Sequence, residues 1–153
     1  MFKHLTTAAG TYAENSSDGT FTVGMTYNKS GSNLQGQIMV SVPQTDGSVI
    51  YVKSNSISNM TVTGTTNNKN STIYTKSSIY KVLGTGSQVT IDGNVTLRLD
   101  THDGGLGPLV DSVGVTVLST KDSCLYYSNN WVLSNNVWQT LMETLKTGDV
   151  SIQ

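Results

Sequence analysis

Charge is what this chain has least of. Asp, Glu, Lys and Arg make up 12% of its 153 residues, about half the share of an ordinary globular domain, where they are roughly a quarter. Nine Lys and Arg stand against ten Asp and Glu, and the basic residues form no run. A nucleic-acid partner is therefore not expected, because it needs several phosphate contacts from clustered cations. There is one cysteine, Cys124. It allows no intrachain disulfide, so the chain is not a small cross-linked scaffold. No apolar stretch approaches the ~20 residues of a membrane span, and no amphipathic basic stretch suits a bilayer surface, so membrane insertion is not expected either. The opening Met1-Phe2-Lys3-His4 lacks the apolar core and small-residue cleavage site of a signal peptide, and reads as the start of a domain cut from a longer chain.

Catalytic patterns are missing too. No Gly-x-Ser-x-Gly elbow occurs, nor a Ser-x-x-Lys set with its companion motifs. Glu14 and Glu143 are the only glutamates, and no aspartate spacing selects a glycosidase pair. A thiol nucleophile needs a base and an electropositive setting. Neither is evident around Cys124, which reads as a small residue in a strand. The expectation is a protein that is not an enzyme.

What fills the chain is Ser, Thr, Asn and Gly, with apolar residues at 36%. Such a neutral, hydroxyl- and amide-rich surface points to an extracellular or cell-surface setting. The length fits one domain, large enough to fold without metal or disulfide. Apolar residues recur with period two. Phe21, Val23 and Met25 form one such run, Ile38, Val40 and Val42 another. Val95, Leu97 and Leu99, then Val113, Val115 and Val117, complete the set. Each run reads as a strand with one face buried. Further strands are expected at Val49 to Lys53, Ile57 to Val62, Thr72 to Lys76, Cys124 to Tyr127 and Asp149 to Ile152. Asp46-Gly47 and Asp92-Gly93 predict hairpin turns, since both residue types tolerate positive φ, and Thr65 to Asn70 reads as an exposed loop. Val137, Leu141 and Leu145, spaced at four, leave Asn136 to Lys146 open between helix and strand. The fold expected is all-β, an antiparallel β-sandwich (immunoglobulin-like or jelly-roll-like) of about ten short strands, with a closed barrel as the alternative. Residues 1–19 read as an N-terminal extension or first edge segment, and 20–153 as the sandwich domain.

From Val95 to Trp131 the chain carries a strand, a glycine-rich loop (Asp103, Gly104, Gly105, Leu106, Gly107, Pro108), a strand led by Asp111, and an aromatic strand ending in Ser128-Asn129-Asn130-Trp131. Towards its end it reads Thr144-Leu145-Lys146-Thr147-Gly148-Asp149-Val150-Ser151-Ile152. In these features it resembles the C-terminal module of bacterial secreted and cell-surface multidomain proteins that accompanies immunoglobulin-like, PKD or adhesin repeats. The resemblance implies a β-sandwich at the cell surface and implies no activity.

Asp100, Asp103 and Asp111 form the sharpest candidate cluster, at a strand end, in the loop and at the next strand start. Three carboxylates with loop carbonyls suit Ca²⁺, which takes six to eight oxygens. The favoured reading is that Asp103 and Asp111 accept backbone N–H groups and hold the turn, because Leu106 stands where a ligand would. No other cofactor is expected. His102 beside two carboxylates lacks the further ligands zinc needs, His4 being the only other histidine. Tyr126, Tyr127, Trp131 and Trp138 lie among Ser and Asn. Trp131 and Tyr126 read as core, while Tyr127 and Trp138 are the candidate aromatic contacts for a sugar or a protein partner. The functional expectation is a non-catalytic accessory or interaction module, for adhesion, protein contact or glycan binding. Its alternative is a structural subunit of a filament or phage-like fibre, with a hydrolase behind both.

Overall fold

A computed structural model of the chain describes residues 5–12, 19–27, 34–65, 68–104 and 111–152. His4 and residues 105–110 of the glycine-rich loop lie outside the described residues. The strands are β1 (Leu5–Tyr12), β2 (Gly19–Tyr27), β3 (Leu34–Pro43), β4 (Val49–Thr65), β5 (Asn68–Val82), β6 (Gln88–Asp103), β7 (Ser112–Ser119), β8 (Leu125–Ser128), β9 (Trp131–Ser134), β10 (Val137–Thr140), β11 (Glu143–Thr144) and β12 (Thr147–Ile152). The class is all-β and antiparallel, as the alternation predicts. Among the described residues no helix is long and apolar enough to cross a membrane.

Ten strands form one curled sheet, in the order β11-β7-β6-β5-β4-β3-β2-β1-β12, with β8 also paired to β7. From β1 to β8 each strand pairs with the next, which is meander connectivity rather than a Greek key. The two ends of this order are neighbours in the chain. Glu143 and Thr144 pair with Val113 and Ser112 of β7, and Thr147 to Ile152 pair with Thr11 to Thr6 of β1. The last ten residues of the described chain therefore serve both ends of the sheet. Between the two ladders, Leu145 N–H donates to Asp111 O and Lys146 N–H to Thr11 O.

The four alternating runs all turn the expected face inward. Phe21, Ile38, Val40, Leu97, Leu99, Val113, Val115 and Val117 are buried together with Tyr12, Val52, Ile73, Leu145, Val150 and Ile152. Dispersion and removal of this apolar surface from water, at about 25 cal/mol per Å², supply the driving force for the curl.

Several local expectations need correction. The strands are not uniformly short: β4, β5 and β6 have 17, 15 and 16 residues. Asp46-Gly47 does turn, with Gly47 at φ 86°. Asp92-Gly93 does not. It lies inside β6, and the turn between β5 and β6 is at Leu83–Ser87, closed by Leu83 N–H to Ser87 O and by Gly86 at φ 91°. Around Asp92 the register against β5 shifts twice, so this dipeptide marks a bulge, where an unpaired extra residue bends the strand. The 65–70 stretch carries the ends of the β4–β5 hairpin, with Thr65 paired to Asn68. Asn136 to Lys146 is not helical: it holds the two short strands β10 and β11, and Asn135 and Asn136 both take positive φ (52° and 62°) in the two-residue turn that precedes β10. Of the residues spaced at four there, only Leu145 is buried.

Gly10 of β1 faces Gly148 of β12, which sits at φ 101°. A Cβ on Gly148 would overlap the Ala9 carbonyl, and one on Gly10 would overlap the Thr147 carbonyl. Gly93, by contrast, has open space around it and no positive φ. Gly148→Ala should therefore destabilise by more than about 1 kcal/mol in denaturant melts. Gly93→Ala should be neutral or slightly stabilising. A large loss at Gly93 would show that it holds a tight turn after all.

Candidate functional site

The outward face of β5, β6 and β7 carries a polar row in register. Tyr74 pairs with Arg98 and Arg98 with Thr116; one row along, Thr72 pairs with Asp100 and Asp100 with Gly114. Small outward residues on β7 let the β9–β10 hairpin lie across it. A side chain at Gly114 would press on Thr140 and Met142. The Thr116 and Thr140 hydroxyls are hydrogen-bonded at 2.6 Å, and Thr140 also meets Ser128 at 2.7 Å. Upstream, the Asn129 side chain continues the edge of β7 as a strand would, accepting from Val115 N–H at 2.8 Å and donating to Val113 O at 3.1 Å.

On the hairpin, Trp131 pairs with Thr140 and Trp138 with Leu133. Directly paired residues share a face, so both tryptophans sit on the side of Thr140, towards the sheet. Their rings are near-parallel, 12° apart in plane, with centroids at 6.2 Å. Between this aromatic shelf and the polar row lies a cleft of about 200 Å³, lined by Tyr74, Arg98, Asp100, Trp131, Trp138 and Gln139 among others. Trp138 remains 56% exposed and Trp131 37%. Trp131 is thus not a core residue, contrary to expectation. The core is complete without it, and the hairpin lies outside the sheet.

Arg98 and Asp100 form an ion pair in the cleft floor. Arg98 Nε lies 3.0 Å from Asp100 Oδ2, and Nη2 lies 3.2 Å from Oδ1. Thr72 Oγ1 donates to Asp100 Oδ1 at 2.8 Å, and the guanidinium stands 5.6 Å from the centre of the Tyr74 ring. Burial alone would lower the Arg98 pKa, but the hydrogen bonds and charge of Asp100, with Tyr74, outweigh it and leave the value raised.

The three candidate aspartates part company. Asp100 belongs to the cleft. Asp103 and Asp111 belong to the seam where the sheet meets β12. Asp111 is fully buried; its Oδ1 accepts Gly104 N–H at 3.0 Å and its Oδ2 accepts Val150 N–H at 2.8 Å. Asp103 Oδ2 accepts Ile152 N–H at 3.0 Å. The carboxylates act as strand carbonyls would along β12. Asp149, which the sequence did not single out as a site residue, joins them. A hydrogen bond to Asp111, then burial, then the charges of Asp111 and Asp103, push its pKa up. Among the described residues no group of three or more His, Cys, Asp or Glu is placed to hold a metal ion.

The other candidates lie apart from the cleft. Tyr127 is half-buried against the core and its hydroxyl donates to Tyr12 at 3.0 Å. Tyr126, expected in the core, is the exposed one of the pair, and its hydroxyl donates to Asp92 at 2.8 Å. His102 Nδ1 is 2.8 Å from Asn70 Oδ1. Cys124 is exposed in the turn before β8, where the Asp122 hydrogen bond and charge push its thiol pKa up and so disfavour the thiolate. The chain matches no family model, no curated protein and no solved structure.

Removing the Asp111 carboxylate strands Gly104 and Val150 N–H. Hydrogen bonds to a charged acceptor contribute roughly 1.5–3 kcal/mol, so Asp111→Ala should destabilise by about 2 kcal/mol or more in denaturant melts, with or without Ca²⁺. Asp122→Ala, on the exposed turn, should leave the denaturant midpoint nearly unchanged. Asp149 gives a pH test. Its folded pKa lies above the unfolded value, so the native state holds this proton more tightly. That contribution is complete below the unfolded pKa and is lost as pH rises through the folded one. Asp149→Asn, always neutral, should therefore gain on wild type as pH is raised from acid towards neutral. An advantage that instead shrank with rising pH would contradict the arrangement.

Proposed function

We propose that this domain is a non-catalytic binding module of a secreted or cell-surface bacterial protein, and that it takes a glycan in the cleft between the β9–β10 hairpin and the outer face of β5, β6 and β7. The observation that carries this reading is the paired shelf of Trp131 and Trp138 above Arg98 and Asp100. Aromatic faces supply apolar contact while adjacent polar groups fix orientation, the division of labour that sugar rings and partner surfaces both require. At about 200 Å³ the cleft is smaller than the roughly 300–1,000 Å³ of sites that enclose drug-sized ligands. It suits a single ring at a chain end or a unit within an open chain. The low charge of the sequence supports the extracellular setting. On the same reading the curled sheet is flattened into two layers, of the sandwich kind; in support, β12 touches β5 and β6, strands it does not pair with.

One observation favours the alternative of a fibre subunit. Residues 88–94 of β6 have no β7 partner, and Val89 and Ile91 there are exposed. Such an edge is a template for pairing with another chain. A dominant oligomer in sedimentation, dissolved by Ile91→Lys, would favour it.

The glycan reading is tested by affinity electrophoresis or pull-down on insoluble and soluble polysaccharides, with tryptophan fluorescence as the second readout. Trp138→Ala should weaken retention about 30-fold, the effect of losing a contact of about 2 kcal/mol. Val137→Ala, on the opposite face of the hairpin, should leave it unchanged. No retention by any polysaccharide, or equal retention by the Trp138 variant, would overturn the reading.

A further inference from the structure

Resting on that reading, we infer that the cleft selects a neutral sugar ring with two adjacent hydroxyls, and that the Arg98–Asp100 pair is the element that selects it. Among the described residues the cleft lining carries one cation and one anion, in contact with each other. It offers no net charge to draw in an acidic or a basic ligand. A sugar carboxylate approaching Arg98 would meet Asp100 at the same time, and like charges brought together cost affinity. Arg98 has already committed Nε and Nη2 to that carboxylate.

A neutral diol meets the pair without conflict. One hydroxyl accepts from the Arg98 guanidinium, and its neighbour donates to an Asp100 oxygen. Both are charge-assisted hydrogen bonds, about twice as strong as neutral ones. The pair is held for the task. Thr72 fixes Asp100 from β5 and the Tyr74 ring stands beside the guanidinium, so little side-chain freedom remains to be lost on binding. Trp138, still 56% exposed, offers its ring to the C–H face of the same sugar.

The test is a titration of intrinsic tryptophan fluorescence with defined oligosaccharides. The neutral probes are β1,4-linked tetrasaccharides of glucose, mannose and galactose; the acidic probe is tetragalacturonic acid. At least one neutral probe should bind with an affinity that changes less than twofold between 50 and 500 mM NaCl, because no net charge is involved. Tetragalacturonic acid should bind at least tenfold more weakly. Asp100→Asn and Arg98→Lys, both conservative changes on the outer face of β6, should each weaken the neutral probe about tenfold while leaving the melting temperature nearly unchanged. Tighter binding of the acidic probe, falling with salt, would overturn the inference and leave the glycan reading standing. Neutral binding that survived both substitutions would likewise overturn the role of the pair. Silence from every probe would count against the inference and the glycan reading together.

Discussion

The last ten residues of the described chain are asked to serve both ends of the sheet. Glu143 and Thr144 pair with β7, and three residues later the chain pairs with β1. Where it leaves β7, one side of β12 no longer faces a backbone ladder. Its N–H groups at Val150 and Ile152 are taken instead by the carboxylates of Asp111 and Asp103. Two buried donors left without acceptors would each cost about 1–3 kcal/mol, a large part of the 5–15 kcal/mol by which domains are stable. The glycine pair at Gly10 and Gly148 brings the two backbones close enough for the join. Val150 and Ile152 then complete the interior from the far side of the sheet order.

The cleft depends on the same seam. The hairpin that carries Trp131 and Trp138 hangs between β8 and β11, and both of those pair with β7. Asn129 fills the stretch of β7 between them with its side-chain amide. Thr140 ties the hairpin down at Thr116 and Ser128. The aromatic shelf is therefore fixed from both of its ends against the sheet that carries Arg98 and Asp100. A site supported in this way keeps its geometry before a ligand arrives, which reduces the ordering cost of binding.

Much of the core was legible in the sequence, because burial on one face of a strand leaves a period of two. Val95, Leu97 and Leu99, and Val113, Val115 and Val117, are buried as their alternation implies. Local turn chemistry was a weaker guide. Asp46-Gly47 turns while Asp92-Gly93 bulges, and the difference lies in whether the flanking strands can continue to pair, which is a long-range fact. The helical spacing of Val137, Leu141 and Leu145 was overruled by two asparagines at positive φ. The role of Asp111 as acceptor for the loop could be argued from its place after three glycines. Its second partner, Val150, lies 39 residues on, and only closure of the sheet brings it near. The same holds for Asp149. Of the aromatic residues, Trp138 could be singled out by its polar surroundings. Trp131 could not, because sequence does not tell an outer hairpin from a core strand. Arg98 is legible as the partner of Asp100, two residues on in β6: alternate residues share a face, and theirs is the face opposite Leu97 and Leu99.

Carboxylates at Asp111 and Asp103 complete the ladder of the closing strand, and native-state hydrogen exchange of individual amides reads this out residue by residue. The Val150 and Ile152 N–H groups should exchange as slowly as that of Leu99 in the middle of the sheet, through global unfolding alone. In Asp111→Asn the Val150 amide should lose protection first, ahead of the rest of β12. Exchange of Val150 and Ile152 in wild type as fast as that of Leu133, an exposed residue of the hairpin, would show that the carboxylates do not close the seam.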